Sequence, residues 1–206
     1  MDITLQNFDL ITRDIYLYQD IDNTSALDFI KNINEIYKKD IELINTNIKQ
    51  LNQIYQNIDF NFLKDKKNIP DINIYLNTYG GSCYNGYSLY DNIKNINNHC
   101  KINIIASGSC MSMGIIILLS VPYEQRKCTK NTTFMIHQAS GFSIGKTAEM
   151  EEQLKENKRL TEKGFNIIAE NTLITKETLE ENYNKKEDWF LTAEEALKFK
   201  IISEII

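Results

Sequence analysis

The sequence predicts an α/β fold with a largely parallel sheet. Three observations carry this prediction. Alternating runs at 14–18 (DIYLY) and 72–77 (INIYLN) read as strands. Between them Ile30, Ile33, Tyr37, Ile41, Ile44, Ile48, Leu51 and Tyr55 recur at steps of three and four, which draws one apolar stripe along a helix. Strand and helix patterns then keep alternating to the end of the chain, the order of a parallel sheet crossed by helices.

The elements follow in order. After the strand at 14–18 comes the striped helix, with Asn45-Thr46-Asn47 as a candidate interruption. The stripe is expected to pack on the domain or on a neighbouring subunit. Lys64 to Lys67 and Pro70 form a charged turn, and the strand at 72–77 ends at Gly80-Gly81. A helix is expected at 86–96, a buried strand at 102–106, and a helix apolar on nearly all sides at 112–120. A strand at 132–137 and a long charged helix at 146–171 follow. Thr192-Ala193-Glu194-Glu195 is a capping box that opens a short helix, and 201–206 closes the chain as a strand.

With 206 residues, 42% of them hydrophobic, one core is large enough to hold the chain without a disulfide or a metal. A net charge of -5 argues against nucleic acid or an anionic membrane as the main partner. Cys83, Cys100, Cys110 and Cys128 form no C-x-x-C pair, and His99-Cys100 is too short a cluster for zinc. No metal and no cofactor are therefore expected. Scattered thiols point to a reducing compartment, the cytoplasm or an organelle of bacterial origin. Residues 1–9 lack the basic start and apolar run of a signal peptide. The most apolar stretch, 113–121, is too short to span a bilayer, so the chain reads as soluble.

Two histidines are present. His99 lies in a polar turn and reads as a solvated surface residue. His137 ends the apolar run FMIH, where a chain leaves its core. Such a residue is more often structural than catalytic, and its weight comes from Ser112. The stretch Gly108 to Gly114 (GSCMSMG) follows a strand and opens a buried helix, which puts Ser112 at a strand-to-helix turn. A serine hydroxyl needs a base to activate it and donors for the oxyanion it creates. The amide of Met113 and the Gly80-Gly81 turn can supply those donors, glycine permitting close backbone approach. An isolated serine in this place reads more simply as a helix N-cap.

Four segments, INIYLNTYGGSCYNGYSLYDNI, ASGSCMSMGI, FMIHQASG and DWFLTAEEAL, together resemble the ClpP family, the proteolytic subunit of the Clp protease. They stand in family order and span about two-thirds of the chain, from Ile72 onward. Ser112 precedes His137 by 25 residues, the spacing expected of that family.

The resemblance implies a ClpP/crotonase-like fold of repeated β-β-α units with a protruding strand–helix handle. It implies Ser112 as nucleophile, His137 as general base and Asp188 as the orienting carboxylate, with Gly81 and Met113 as oxyanion-hole donors. It also implies a polypeptide substrate, a homo-oligomer of stacked heptameric rings and a separate AAA+ ATPase. Nothing in composition or periodicity carries those last expectations.

Three departures from the family pattern stand out. Its Ser-Pro-Gly-Gly turn is Thr78-Tyr79-Gly80-Gly81 here, a change expected to loosen the first oxyanion donor. The segment before Asp188 is longer than usual, which makes Glu187 a rival acid. A single domain over 1–206 carries an extended helical insertion at about 38–65.

Gly141 to Thr147 resembles a phosphate-binding loop but misses G-x-x-x-x-G-K-[ST] by one residue. Two other functions compete with a peptidase: an inert structural ring subunit, and an acyl-CoA enzyme of the crotonase type. The latter needs no Ser–His pair and ranks below.

Overall fold

Alternation sets the core. In β2 (Ile72–Thr78) Ile72, Ile74, Leu76 and Thr78 are buried on one face, while the residues between them are half-buried on the other. β3 (Ile102–Met111) repeats the pattern, and β1 (Asp14–Leu17) flanks β2. In this computed structural model the described residues are 12–55, 57–141 and 144–206. The readings made on residues 1–9 and on Phe142 and Ser143 lie outside them.

The remaining elements are α1 (Asn23–Ile54), α2 (Cys83–Asn97), α3 (Met113–Leu118), β4 (Arg126–Cys128), β5 (Thr133–Ile136), α4 (Thr147–Asn171), α5 (Lys176–Lys185), β6 (Trp189–Leu191), α6 (Ala193–Lys198) and β7 (Glu204–Ile205). The sheet runs β1-β2-β3-β4-β7, with β5 attached to β3 and β6 to β5. Every pairing is parallel except β5 with β6.

β3 changes partner along its length. Ile104 to Ala106 pair with β4, and Ser109 to Met111 pair with β5. The switch falls at Gly108, whose φ of 67° suits a glycine, and the β2–β3 register shifts between Leu76 and Thr78. β3 therefore runs on to Met111, past the expected end at Ala106. The Gly-Ser-Cys run that reads as a turn is a bulged strand.

α1 opens earlier than the stripe suggests. Asp22 Oδ1 accepts from the Ser25 amide at 2.7 Å and Ser25 Oγ accepts from the Asp22 amide at 2.9 Å, a reciprocal cap. Asn45-Thr46-Asn47 does not interrupt it, and Thr46 Oγ1 turns back to the carbonyl of Glu42 at 2.8 Å. The helix is pinned by Asp40, only 1% exposed, which takes both Arg13 terminal nitrogens at 2.8 and 2.9 Å. The Arg13 fork also donates to the carbonyls of Asp71 and Pro70, tying α1 to the entry of β2.

The handle is helical. Among the described residues between Ile136 and Thr147 none lies in a strand, since extended backbone forms a ladder only against a partner strand. α6 starts at its expected box, with Thr192 Oγ1 accepting from the Glu195 amide and Glu195 Oε2 from the Thr192 amide. Among the described residues no helix is long and apolar enough to cross a membrane.

Candidate active site

Ser112 sits between the last residue of β3 and the first of α3, at φ 53° and ψ −118°. Such a backbone is costly for a non-glycine residue, so its surroundings must over-determine it. They do: the Ser112 amide donates to Met135 O of β5 at 2.8 Å, and its carbonyl accepts from the Ile115 amide at 3.1 Å. The hydroxyl makes no capping bond, so the simple N-cap reading fails. It lies instead 2.7 Å from His137 Nε2.

His137 follows β5 directly, whose Phe134, Met135 and Ile136 are buried. The antiparallel register pairs Ile136 with Trp189, which brings the next residue back along β6, Asp188, beside His137. Asp188 Oδ1 is 3.7 Å from His137 Nδ1, beyond hydrogen-bond reach. Its side chain is 54% exposed, against 23% for the histidine. Glu187, one position earlier, is also exposed and borders the same small pocket. Successive residues of an extended chain point to opposite sides, so the register favours Asp188 of the two.

Gly80 and Gly81, at φ 104° and 140°, form the opposite wall. A Cβ on Gly80 would stand 2.7 Å from Ser112 Cβ, and one on Gly81 would stand 2.3 Å from the carbonyl oxygen of Ile21. Only glycine fits, on backbone angles and on space. The turn is clamped on both sides. Gly80 O accepts from the Ile21 amide at 2.7 Å, and the Ser82 amide donates to Ile21 O at 2.8 Å.

Thr78 does what the missing proline was expected to do. Buried at 1% exposure, its Oγ1 accepts from the Gly80 amide at 3.0 Å, while its methyl packs under Gly114 of α3. Next to it, Asn77 Oδ1 takes both the amide (3.0 Å) and the hydroxyl (2.7 Å) of Ser109, which holds the β3 bulge. Neither buttress stands out from sequence. A threonine two positions before the first glycine of the turn is the only signal, through its capacity for a side-chain turn.

His99 is exposed, its ring tilted against Tyr37. All four cysteines are free; burial pushes the Cys83 and Cys110 thiols up from their ordinary range. Among the described residues no group of three or more His, Cys, Asp or Glu is placed to hold a metal ion.

The Clp protease family model matches residues 24–206. The chain belongs to the Clp protease family. It is by class a serine-type peptidase. Among its curated relatives, the ATP-dependent Clp protease proteolytic subunit 3 of Rhizobium etli is 35% identical over 136 residues, 66% of this chain and 68% of that one. The ATP-dependent Clp protease proteolytic subunit of Deinococcus radiodurans is 32% identical over 136 residues, 66% of this chain and 65% of that one. A solved structure, a point mutant of ClpP1 from Listeria monocytogenes, superposes with a TM-score of 0.67 at 27% identity, covering 97% of this chain and 92% of the other. In this Clp protease family member a serine and a histidine thus meet at the joint of two parallel strands, under a glycine turn.

Proposed function

We propose that this chain hydrolyses peptide bonds of polypeptides through Ser112, His137 and Asp188, by way of an acyl-enzyme. The observation that carries the reading is the 2.7 Å approach of Ser112 Oγ to His137 Nε2. In the tautomer that suits the chemistry, the serine O–H donates to Nε2 and Nδ1–H faces Asp188. As Oγ bonds to the substrate carbonyl carbon, its proton passes to Nε2. The carbonyl oxygen becomes an oxyanion, received by the amides of Met113 and Gly81. The C–N bond then breaks and the amine leaves with the Nε2 proton. Water attacks the ester, giving its proton to Nε2; the C–Oγ bond breaks and Oγ takes the proton back. Asp188 fixes the imidazole orientation and balances its charge in each half-reaction.

The names of the bacterial relatives describe a subunit of an ATP-dependent protease. For this chain we infer the corresponding arrangement: stacked heptameric rings enclosing the serines, with unfolding supplied by a separate AAA+ ATPase in a reducing compartment. The segment at about 38–65 then sits as an addition to the family core, where it bears on ring packing or ATPase docking.

An inert ring subunit is the rival reading, and one observation favours it: the 3.7 Å gap at Asp188. Reaction with a fluorophosphonate separates the two. We expect Ser112 to be labelled, and Ser112→Ala to lose labelling and peptide turnover while keeping its circular dichroism. An assembled, unlabelled chain, or a Ser112→Ala variant with wild-type turnover, would end the serine-peptidase reading.

A further inference from the structure

The segment that carries His137 has one more anchor beyond its strand. β5 ends its pairing at Ile136, opposite Trp189, and His137 comes next. From there to α4 the backbone leaves the sheet. Among the described residues at 138–145 a single hydrogen bond is made, and it falls two positions after the histidine. The Ala139 amide donates to Thr161 Oγ1 of α4 at 3.0 Å.

Thr161 is oriented to accept that bond. Its hydroxyl proton goes to Asn157 O, 2.9 Å away and four residues back in α4. A hydroxyl has one proton and two lone pairs, so what faces Ala139 is a lone pair. Turning back onto the helix slightly weakens it, and threonine is itself a poor helix former. Thr46 of α1 makes the same turn, to Glu42 O, on the exposed surface. At Thr161 the oxygen is used a second time, on the segment that holds His137.

The anchor is rigid. Thr161 follows buried Leu160, whose carbonyl accepts from the Tyr87 hydroxyl of α2 at 2.8 Å. Farther along, Ile167 and Ile168 seat α4 in the core. α2 itself opens just after the Gly80-Gly81 turn. One turn of α4 is therefore joined to both sides of the site, to the glycine turn through α2 and to His137 through Ala139.

We infer that Thr161 is a positioning residue for His137, fixing where the imidazole stands against Ser112 by holding Ala139. The inference rests on the reading of Ser112 and His137 as nucleophile and base. The β5–β6 ladder holds the backbone before the histidine, and Thr161 holds it after. Without the second hold, the chain beyond Ile136 is free to swing about the end of its strand. An imidazole nitrogen 2.7 Å from its serine has little latitude. A displacement of about 1 Å in a catalytic group costs about 10²-fold in rate.

The test uses the assembled full chain, a fluorogenic peptide and a fluorophosphonate. Thr161→Val keeps the shape and removes the acceptor. It should lower kcat by about 10- to 100-fold and slow Ser112 labelling by a similar factor, because both reactions need Nε2 to take the serine proton. KM should stay within about twofold, since the loss falls on the chemical step. Thr161→Ser restores the acceptor and should return both rates to near wild type. A packing role would not give that rescue, because serine lacks the methyl group. Thr161→Ala, a gain in helix propensity, carries the test if the valine variant does not assemble. Wild-type kcat in a folded, assembled Thr161→Val or Thr161→Ala would overturn the assignment. So would a Thr161→Ser as slow as Thr161→Val, or a loss confined to KM. Failure of the unaltered chain to be labelled at Ser112 would overturn the catalytic reading instead, and this one with it.

Discussion

The two ends of the Ser–His–Asp line are built differently. At the serine end the structure is over-determined. The Ser112 backbone is bonded to β5, Gly80 lies against its side chain, and Thr78 braces the turn from a buried position. At the acid end the chain is loosely held. Asp188 follows Lys186, a non-glycine residue at φ 59°, projects into solvent, and stops short of its histidine. Ser112 and His137 are set by the core of one chain. On the proposed ring architecture, Asp188 is left to be seated by a neighbouring subunit.

The sharpest way to break this comparison is at the acid. Asp188→Asn should cut peptide turnover by up to about 10⁴-fold, the cost of losing the anion that orients a catalytic histidine. Glu187→Gln should leave turnover near wild type. If steady-state kinetics show the reverse, the acid is Glu187. Assembly comes next. If the acid is seated by a neighbour, dissociating the oligomer lowers turnover per subunit while far-UV circular dichroism stays unchanged. Sizing in solution paired with a peptide assay tests this, and a fully active monomer would sink it.

Smaller effects are expected at the serine end, where several contacts share the load. Thr78→Val keeps the shape but removes the oxygen that holds the Gly80 amide. Turnover should fall about tenfold, less than the ~10²–10³ that outright loss of an oxyanion donor costs. A loss confined to kcat would fit that role; a change in KM alone would not. Farthest from the chemistry, Asp40→Asn leaves the half-buried Arg13 without its anion. Denaturant titration should find about 3–5 kcal/mol less stability, with turnover per folded subunit unaltered.

The legibility of the sequence follows the same divide. The strand at 72–78 and the helix at 147–171 declare themselves because one face of each meets the core, which imposes a period of two or of 3.6. β4 and β6, three residues each, are too short to show a period, and both take their pairing from partners far along the chain. α5 shows no apolar period because it buries only Leu179; its one local cue is Thr175, which caps the Thr178 amide. At the site, Ser112 and His137 stand out by residue type and spacing. Thr78 and Asn77 do not, because each acts through a neighbour that only folding supplies.

One bond has a wider meaning for the living cell. The Ser112 amide rests on Met135, in the strand that also ends at His137. The ribosome therefore makes the serine first and its base 25 residues later. Until that second strand docks, the serine lacks both its backbone hold and its proton acceptor. On the proposed mechanism, a chain that has not yet made and docked that strand has no base to activate its serine.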